Sequence, residues 1–298
     1  MNYADRLEEA IAARGNPSLV GLDPHLELLP DEFAQARDPE TPRHERAKAV
    51  ETFLLGIVEL AAGRVPAVKP QSAFFERLGA DGALAWERVI AEARRAGLLV
   101  IGDVKRSDIA STARAYGQAF LEDAGESRCD AITVNPYLGA DSIEPLLEVC
   151  ERSDAGLYIL VRTSNPGSGL FQEHGDPPLA HVVAREVDSW GRALRGSCDL
   201  SSIGAVVGAT HPAELASLRE LLPNTPFLIP GYGAQGAGAR EIVSGFLAGG
   251  RGALVNSSRG ILYAWKKPEY AGMHWKDASR AALDAMIAEL QGALKSPA

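Results

Sequence analysis

Residues 98–113 read LLVIGDVKRSDIASTA. Positions 98–102 form a short apolar run closed by glycine, which is the length and composition of a buried strand rather than a helix. From residue 107 onward the apolar spacing becomes helical and stays so to residue 123. Between the two lies a dense charged patch, Asp103-Val104-Lys105-Arg106-Ser107-Asp108.

The same unit recurs along the chain. Apolar runs at 18–22, 67–69, 98–102, 131–134, 157–161, 203–207, 227–229 and 253–255 alternate with amphipathic stretches such as 43–63, 83–96, 107–123, 142–151, 179–194, 212–221 and 239–247. Most runs are continuously apolar, the pattern of parallel strands covered on both faces. Eight strand–helix units in 298 residues predict an α/β fold of the (β/α)8 TIM-barrel type rather than an open doubly wound sheet. We expect one catalytic domain over residues 1–298. Three stretches read as additions to it: a Pro-rich acidic segment at 30–42, residues 171–178, and a C-terminal helix at 277–294.

Composition narrows the function. The net charge of −9 and the dispersal of the 30 Lys and Arg residues argue against nucleic acid and against an anionic membrane as partners. An anionic substrate then requires a local basic pocket. The three cysteines have neither disulfide-framework nor metal spacing, which fits a reducing, cytoplasmic setting. The N-terminus lacks signal-peptide character, and no apolar stretch has the length of a membrane span. Six histidines show no zinc spacing, and neither a nucleophile elbow nor a Walker loop occurs.

In a barrel of this kind the active site lies at the C-terminal ends of the strands. Those ends carry Asp23, Lys69, Asp103 with Lys105, Asn135, Thr163 with Ser164, Thr210, Gly231 to Gln235 and Asn256 to Arg259. Residues two apart on an extended strand face the same way, so Asp103 and Lys105 should both point into the mouth. A lysine among carboxylates stays protonated and can donate a proton. The same hexapeptide also reads as an ion pair followed by a helix N-cap at Ser107, with Asp108 favoured by the helix dipole.

Lys69 ends a buried run and is costly to desolvate without a carboxylate partner, which makes an alternating Lys, Asp, Lys, Asp array with Asp103 on the neighbouring strand plausible. A lysine snorkelling at a strand end is the alternative. Asp23 could accept from sugar hydroxyls, although alone it reads as a turn residue before Pro24. Pro230-Gly231-Tyr232-Gly233-Ala234-Gln235-Gly236, with Arg259 in the next loop, has the amides and guanidinium that suit a phosphate. Thr163-Ser164-Asn165-Pro166-Gly167 could read a base edge or be a plain turn.

Taken in order, Asp23, Lys69, Asp103-x-Lys105-x-x-Asp108-Ile109, Ser164-Asn165-Pro166-Gly167, Pro230-Gly231-x-Gly233-Ala234-Gln235 and Arg259 resemble the orotidine 5'-phosphate decarboxylase family. Asn135-Pro136-Tyr137-Leu138-Gly139 and Gly208-Ala209-Thr210-His211-Pro212 look like its longer bacterial branch. The resemblance implies decarboxylation of orotidine 5'-phosphate to UMP with neither cofactor nor metal. Lys105 would protonate C6 and Asp103 would lie beside the substrate carboxylate. Lys69 and Asp23 would hold the ribose and complete the charge array, Ser164 would contact the pyrimidine, and Gln235 and Arg259 the phosphate, with Asn135 and Pro230 among the substrate-binding positions. Asp108, Ile109 and Thr112 would reach into a neighbouring subunit, implying a homodimer with shared sites.

Two other readings compete. A metal-dependent phosphosugar decarboxylase or synthase shares the Asp-x-Lys-x-x-Asp pattern but typically has an acidic magnesium ligand at the second strand end, where Lys69 would repel the ion. A non-catalytic nucleotide-binding barrel would keep Gln235 and Arg259 but have no use for Lys105.

Overall fold

A computed structural model describes residues 1–209, 212–233 and 238–295. The eight expected runs are eight parallel strands that close into one barrel in chain order. They are β1 (Ser18–Leu22), β2 (Ala67–Pro70), β3 (Leu99–Arg106), β4 (Ala131–Val134), β5 (Gly156–Arg162), β6 (Ile203–Val207), β7 (Phe227–Ile229) and β8 (Ala253–Ser257). Pairing of β1 with both β2 and β8 makes the closure.

Alternate residues on each strand feed two apolar layers. Val20, Val68, Val100, Ile132, Leu157, Val207 and Val255 face outward, against helix residues such as Leu54, Ile57, Ile90, Val149 and Leu215. Leu19, Ala67, Ile101, Ala131, Tyr158, Val206, Leu228 and Leu254 fill the interior. The same parity carries Lys69, Asp103 and Thr133 inward at the ends of their strands, so the face that builds the core also aims the polar groups.

An N-terminal helix, Tyr3–Arg14, is an addition to the expected alternation. Asn2 caps its start and Gly15, at φ 64°, ends it. Its Tyr3, Leu7 and Ile11 recur at helical spacing and join the interior cluster. Tyr3 donates its hydroxyl to that of Tyr158 at 3.1 Å, so this helix plugs the end of the barrel away from the polar strand ends.

The additions seen in the sequence take definite places. Within 30–42 a 3-10 helix, Asp31–Ala36, sets Phe33 against Phe53 and Trp275, at ring-centroid distances of 5.6 and 5.9 Å. The C-terminal helix runs Trp275–Lys295. Residues 171–178 cover the end of a short helix, Gly169–Gln172, and the turn that leads into the helix Leu179–Gly191. Among the described residues no helix is long and apolar enough to cross a membrane.

The expected helix start at Ser107 is corrected. Strand β3 continues through Arg106, and the following helix, Ala110–Leu121, begins after an extended Ile109. Ser107 caps nothing: its hydroxyl oxygen is buried without a hydrogen-bond partner among the described residues.

Candidate active site

The end of β3 departs from simple alternation. Gly102 pairs with Ile132 and Arg106 with Val134, so four steps on β3 span two on β4. The surplus is absorbed in a bulge where Lys105 adopts φ 43°, a left-handed conformation that costs a non-glycine residue roughly 1 kcal/mol or more. Asp103 and Lys105 therefore do face the mouth together, but through a bulge rather than a flat pleat. Thr133 on β4 holds that bulge. Its hydroxyl accepts from the Lys105 backbone N–H at 3.0 Å and donates to Asp103 Oδ1 at 2.9 Å.

Around Asp103 the charges form a row. Lys69 Nζ donates to Oδ2 at 2.6 Å and Lys105 Nζ donates to Oδ1 at 2.5 Å. Lys69 and Asp103 are buried, whereas 46% of the Lys105 side chain remains exposed. Burial alone would push the Asp103 pKa up, but the two ammonium groups and their hydrogen bonds override it and hold the carboxyl well below the usual carboxylate range. For Lys69, burial favours the neutral amine, yet Asp103 and then Asp23 outweigh it and raise the pKa above the ordinary lysine value. Both groups are thus charged at neutral pH.

The order within one chain is Asp23, Lys69, Asp103, Lys105. Asp23 acts on Lys69 from the first strand end, and Asp108, the carboxylate expected to reach into a neighbouring subunit, stands apart from the row of its own chain. Asp108 Oδ1 accepts from the Ile109 N–H at 2.8 Å, and among the described residues Asp108 forms no ion pair within 4.0 Å. Ile109 and Thr112 lie beside it on the surface. Asp23 Oδ1 is buried without a hydrogen-bond partner among the described residues, an acceptor set up for a donor the chain itself does not provide.

Lys69, Asp103, Lys105 and Thr133 open on a cavity of about 420 Å³. Ser164 and Pro230 line it as the sequence suggested, Leu160, Val206 and Leu228 form its apolar wall, and Gln172 joins from the β5 loop. The volume suits a ligand of nucleotide size, and a single charged edge on an apolar wall suits one with an ionised group on a flat ring.

Other expected residues lie elsewhere. Asn135 is not among the cavity walls; its Oδ1 accepts from the Tyr137 N–H at 3.0 Å in a local turn. Arg259 starts the short helix Arg259–Leu262 and borders a separate cleft of about 630 Å³ with Tyr232, Gly233, Gly238 and Ser257. Among the described residues it forms no ion pair, so its charge is available to an anion. Gln235 and Thr210 lie outside the described residues. Thr133 was missed although its signal was present, a polar residue in phase with Ala131 in an apolar run. Gln172 had no such signal, since only the folded loop brings it to the cavity. Among the described residues no three His, Cys, Asp or Glu side chains gather as a metal ion would need.

A closed parallel barrel whose C-terminal mouth carries a buried carboxylate between two ammonium groups, beside an apolar pocket, defines a (β/α)8-barrel enzyme that works by placed charge and proton transfer. Within that class the chain belongs to the orotidine 5'-phosphate decarboxylase / HUMPS family, whose profile matches residues 19–273. It is 43% identical to an orotidine 5'-phosphate decarboxylase of Rhodopirellula baltica, over 98% of this chain and 100% of that one. It is 40% identical to one of Deinococcus radiodurans, over 98% of each. Among solved structures, OMP decarboxylase of Leishmania donovani superposes with a TM-score of 0.77 at 30% identity, covering 100% of both chains.

Proposed function

We propose that the chain is a carboxy-lyase that converts orotidine 5'-phosphate to UMP and carbon dioxide in pyrimidine biosynthesis, as a cytoplasmic homodimer of single-domain subunits. The observation that carries this reading is the Lys69–Asp103–Lys105 row at the cavity, a proton donor and a fixed anion held 2.5 Å apart. In the reaction the bond from C6 to the carboxyl carbon breaks. Its electron pair stays at C6, where the ring offers no ready sink, so the charge must be stabilised from outside.

The Lys105 ammonium is the residue positioned for that stabilisation. It then gives its proton to C6 and recovers one from solvent, to which it stays open. Asp103, anionic and immobile, would lie against the substrate carboxylate and disfavour the charged ground state relative to departing carbon dioxide. Lys69 and the open acceptor of Asp23 suit ribose hydroxyls, Ser164 a base edge, and Pro230 the adjacent wall. Arg259, with Gln235, is assigned the phosphate, and Asn135 remains a candidate contact through loop rearrangement. Binding at the phosphate can drive ordering of the loops around the charged row, so its loss should lower the rate as well as the affinity.

Dimerisation is favoured by apolar exposure where shared sites would require it. Ile109, next to Asp108 on the loop after β3, and Tyr137 and Leu138, on the loop after β4, are 50%, 76% and 48% exposed.

The test is the absorbance loss of orotidine 5'-phosphate on incubation with the chain in buffer containing EDTA. Turnover is expected. Loss of turnover with EDTA and its return with Mg2+ would favour the phosphosugar branch of the family instead, against the positive charge of Lys69. Binding of UMP with no turnover under any condition would leave a nucleotide-binding barrel.

A further inference from the structure

We propose that Arg162, which touches neither the cavity nor the charged row, is a positioning residue that fixes the base-reading loop after β5; the inference rests on the function proposed above. Strand β5 is irregular at its end. Leu160 sits beside Val206 and Arg162 beside Val207, so β5 spends one more residue than β6 over that step. Because Leu160 and Val206 belong to the barrel interior and Val207 to the outer layer, the extra residue turns Arg162 outward and leaves Thr163 and Ser164 to line the cavity.

Turned outward, the Arg162 side chain is only 3% exposed and its guanidinium is fully engaged. It pairs with Glu214 of the helix Pro212–Leu221 and with Glu173 of the loop, and it donates to Ser168 Oγ at 2.5 Å and Gln172 Oε1 at 3.4 Å. Gln172 passes the constraint on. Its Oε1 accepts from the Thr163 N–H at 2.9 Å, its Nε2 donates to Thr163 Oγ1 at 2.9 Å, and that hydroxyl donates to Asn165 Oδ1 at 2.6 Å. Ser164 is therefore held from both sides along the chain.

A separate contact fixes it from below. Gly208 donates its N–H to the Arg162 carbonyl at 2.8 Å, and a side chain at 208 would come within 3.0 to 3.1 Å of the Ser164 N, Cα and Cβ. Ser164 thus rests directly on the end of β6, and Arg162 clamps the loop that presents it.

The constraint acts on the base and not on the sugar phosphate, which gives a readout that general destabilisation would not produce. The dissociation constants of UMP and ribose 5-phosphate are to be measured for the parent, Arg162→Met, Arg162→Lys and Gln172→Ala, each checked for native circular dichroism. Arg162→Met and Gln172→Ala are expected to weaken UMP by about tenfold, the scale of one or two lost hydrogen bonds, and ribose 5-phosphate by less than about twofold. Arg162→Lys should recover part of the loss.

Equal weakening of both ligands, or unchanged UMP binding, overturns the inference. If Arg162→Met fails to fold, Ser168→Ala and Glu214→Gln decide in its place, since each removes a partner of the guanidinium outside the cavity; UMP binding unchanged in both overturns the inference. A parent that binds UMP no better than ribose 5-phosphate sinks the functional reading and this inference with it. A parent that prefers UMP but never turns over orotidine 5'-phosphate sinks only the decarboxylase assignment.

Discussion

Replacing Asp103 with Asn removes one negative charge from between two positive ones and changes little else in shape. Breaking a buried ion pair from one side costs about 3–5 kcal/mol, because the remaining charge is left desolvated. Two features place Asp103→Asn at the lower end. Asp23 still acts on Lys69, and the half-exposed Lys105 can turn to solvent. We therefore expect a loss of about 3 kcal/mol at pH 7, or roughly a hundredfold in the folding constant.

The pH dependence carries the sharper test. Without Asp103, burial drives the folded-state pKa of Lys69 down, opposite to its direction in the parent. The unfolded variant then binds more protons than the folded one as pH approaches the ordinary lysine value of 10.5, so its stability rises with pH in that range. Urea unfolding followed by tryptophan fluorescence should show a deficit that narrows between about pH 7 and pH 9.5. A deficit below about 1 kcal/mol, or one that widens with pH, would refute the view that Asp103 neutralises a buried ammonium.

Lys105→Ala should lower kcat by at least about 10²–10⁴-fold, the scale of a lost general acid, with UMP binding retained in a titration. Because residue 105 sits at φ 43°, Lys105→Gly should be more stable than Lys105→Ala by about 1 kcal/mol in urea, although equally inactive. Thr133→Val deprives both the Lys105 N–H and Asp103 of a partner, and kcat should fall about tenfold while UMP affinity shifts less than about threefold. Arg219, buried over the Phe227 ring and bonded to the carbonyls of Gly245, Leu222, Thr225 and Gly252, ties the outer ends of several loops together. Arg219→Met should cost about 3–5 kcal/mol in urea, with near-parental kcat in the fraction that stays folded at low temperature.

Strands whose ends are apolar were legible to the residue. The runs at 18–22, 131–134, 203–207 and 227–229 coincide with β1, β4, β6 and β7. The others run further than their apolar cores, through Arg106 in β3, Arg162 in β5 and Ser257 in β8. Charged and polar side chains occupy those ends, and polarity there hides backbone that is still paired. Lys69, Asp103 and Lys105 were legible because a charge ending an apolar run must find a partner. The bulge at Lys105 and the outward turn of Arg162 were not, because a register shift between strands leaves no trace in the periodicity of one strand. The N-terminal helix is the opposite case. Its Tyr3, Leu7 and Ile11 recur at helical spacing, but nothing local says that a helix preceding β1 will close a barrel.

The row is built unevenly, and the unevenness fits proton delivery. Lys69 and Asp103 are immobilised by burial, by each other and by Thr133, so their geometry costs nothing to organise when a ligand arrives. Among the described residues Lys105 is anchored through its strained backbone and one carboxylate oxygen, with nearly half its side chain open. A ring seated in the cavity would exclude water from that open side, and in the drier site the same charges act more strongly on C6. A fully buried Lys105 would gain strength in the empty enzyme but lose its route for regaining a proton from solvent after each turnover. On the proposed mechanism the partial exposure of Lys105 serves this cycle: the carboxylate that holds it is fixed in advance, and the substrate would complete the enclosure.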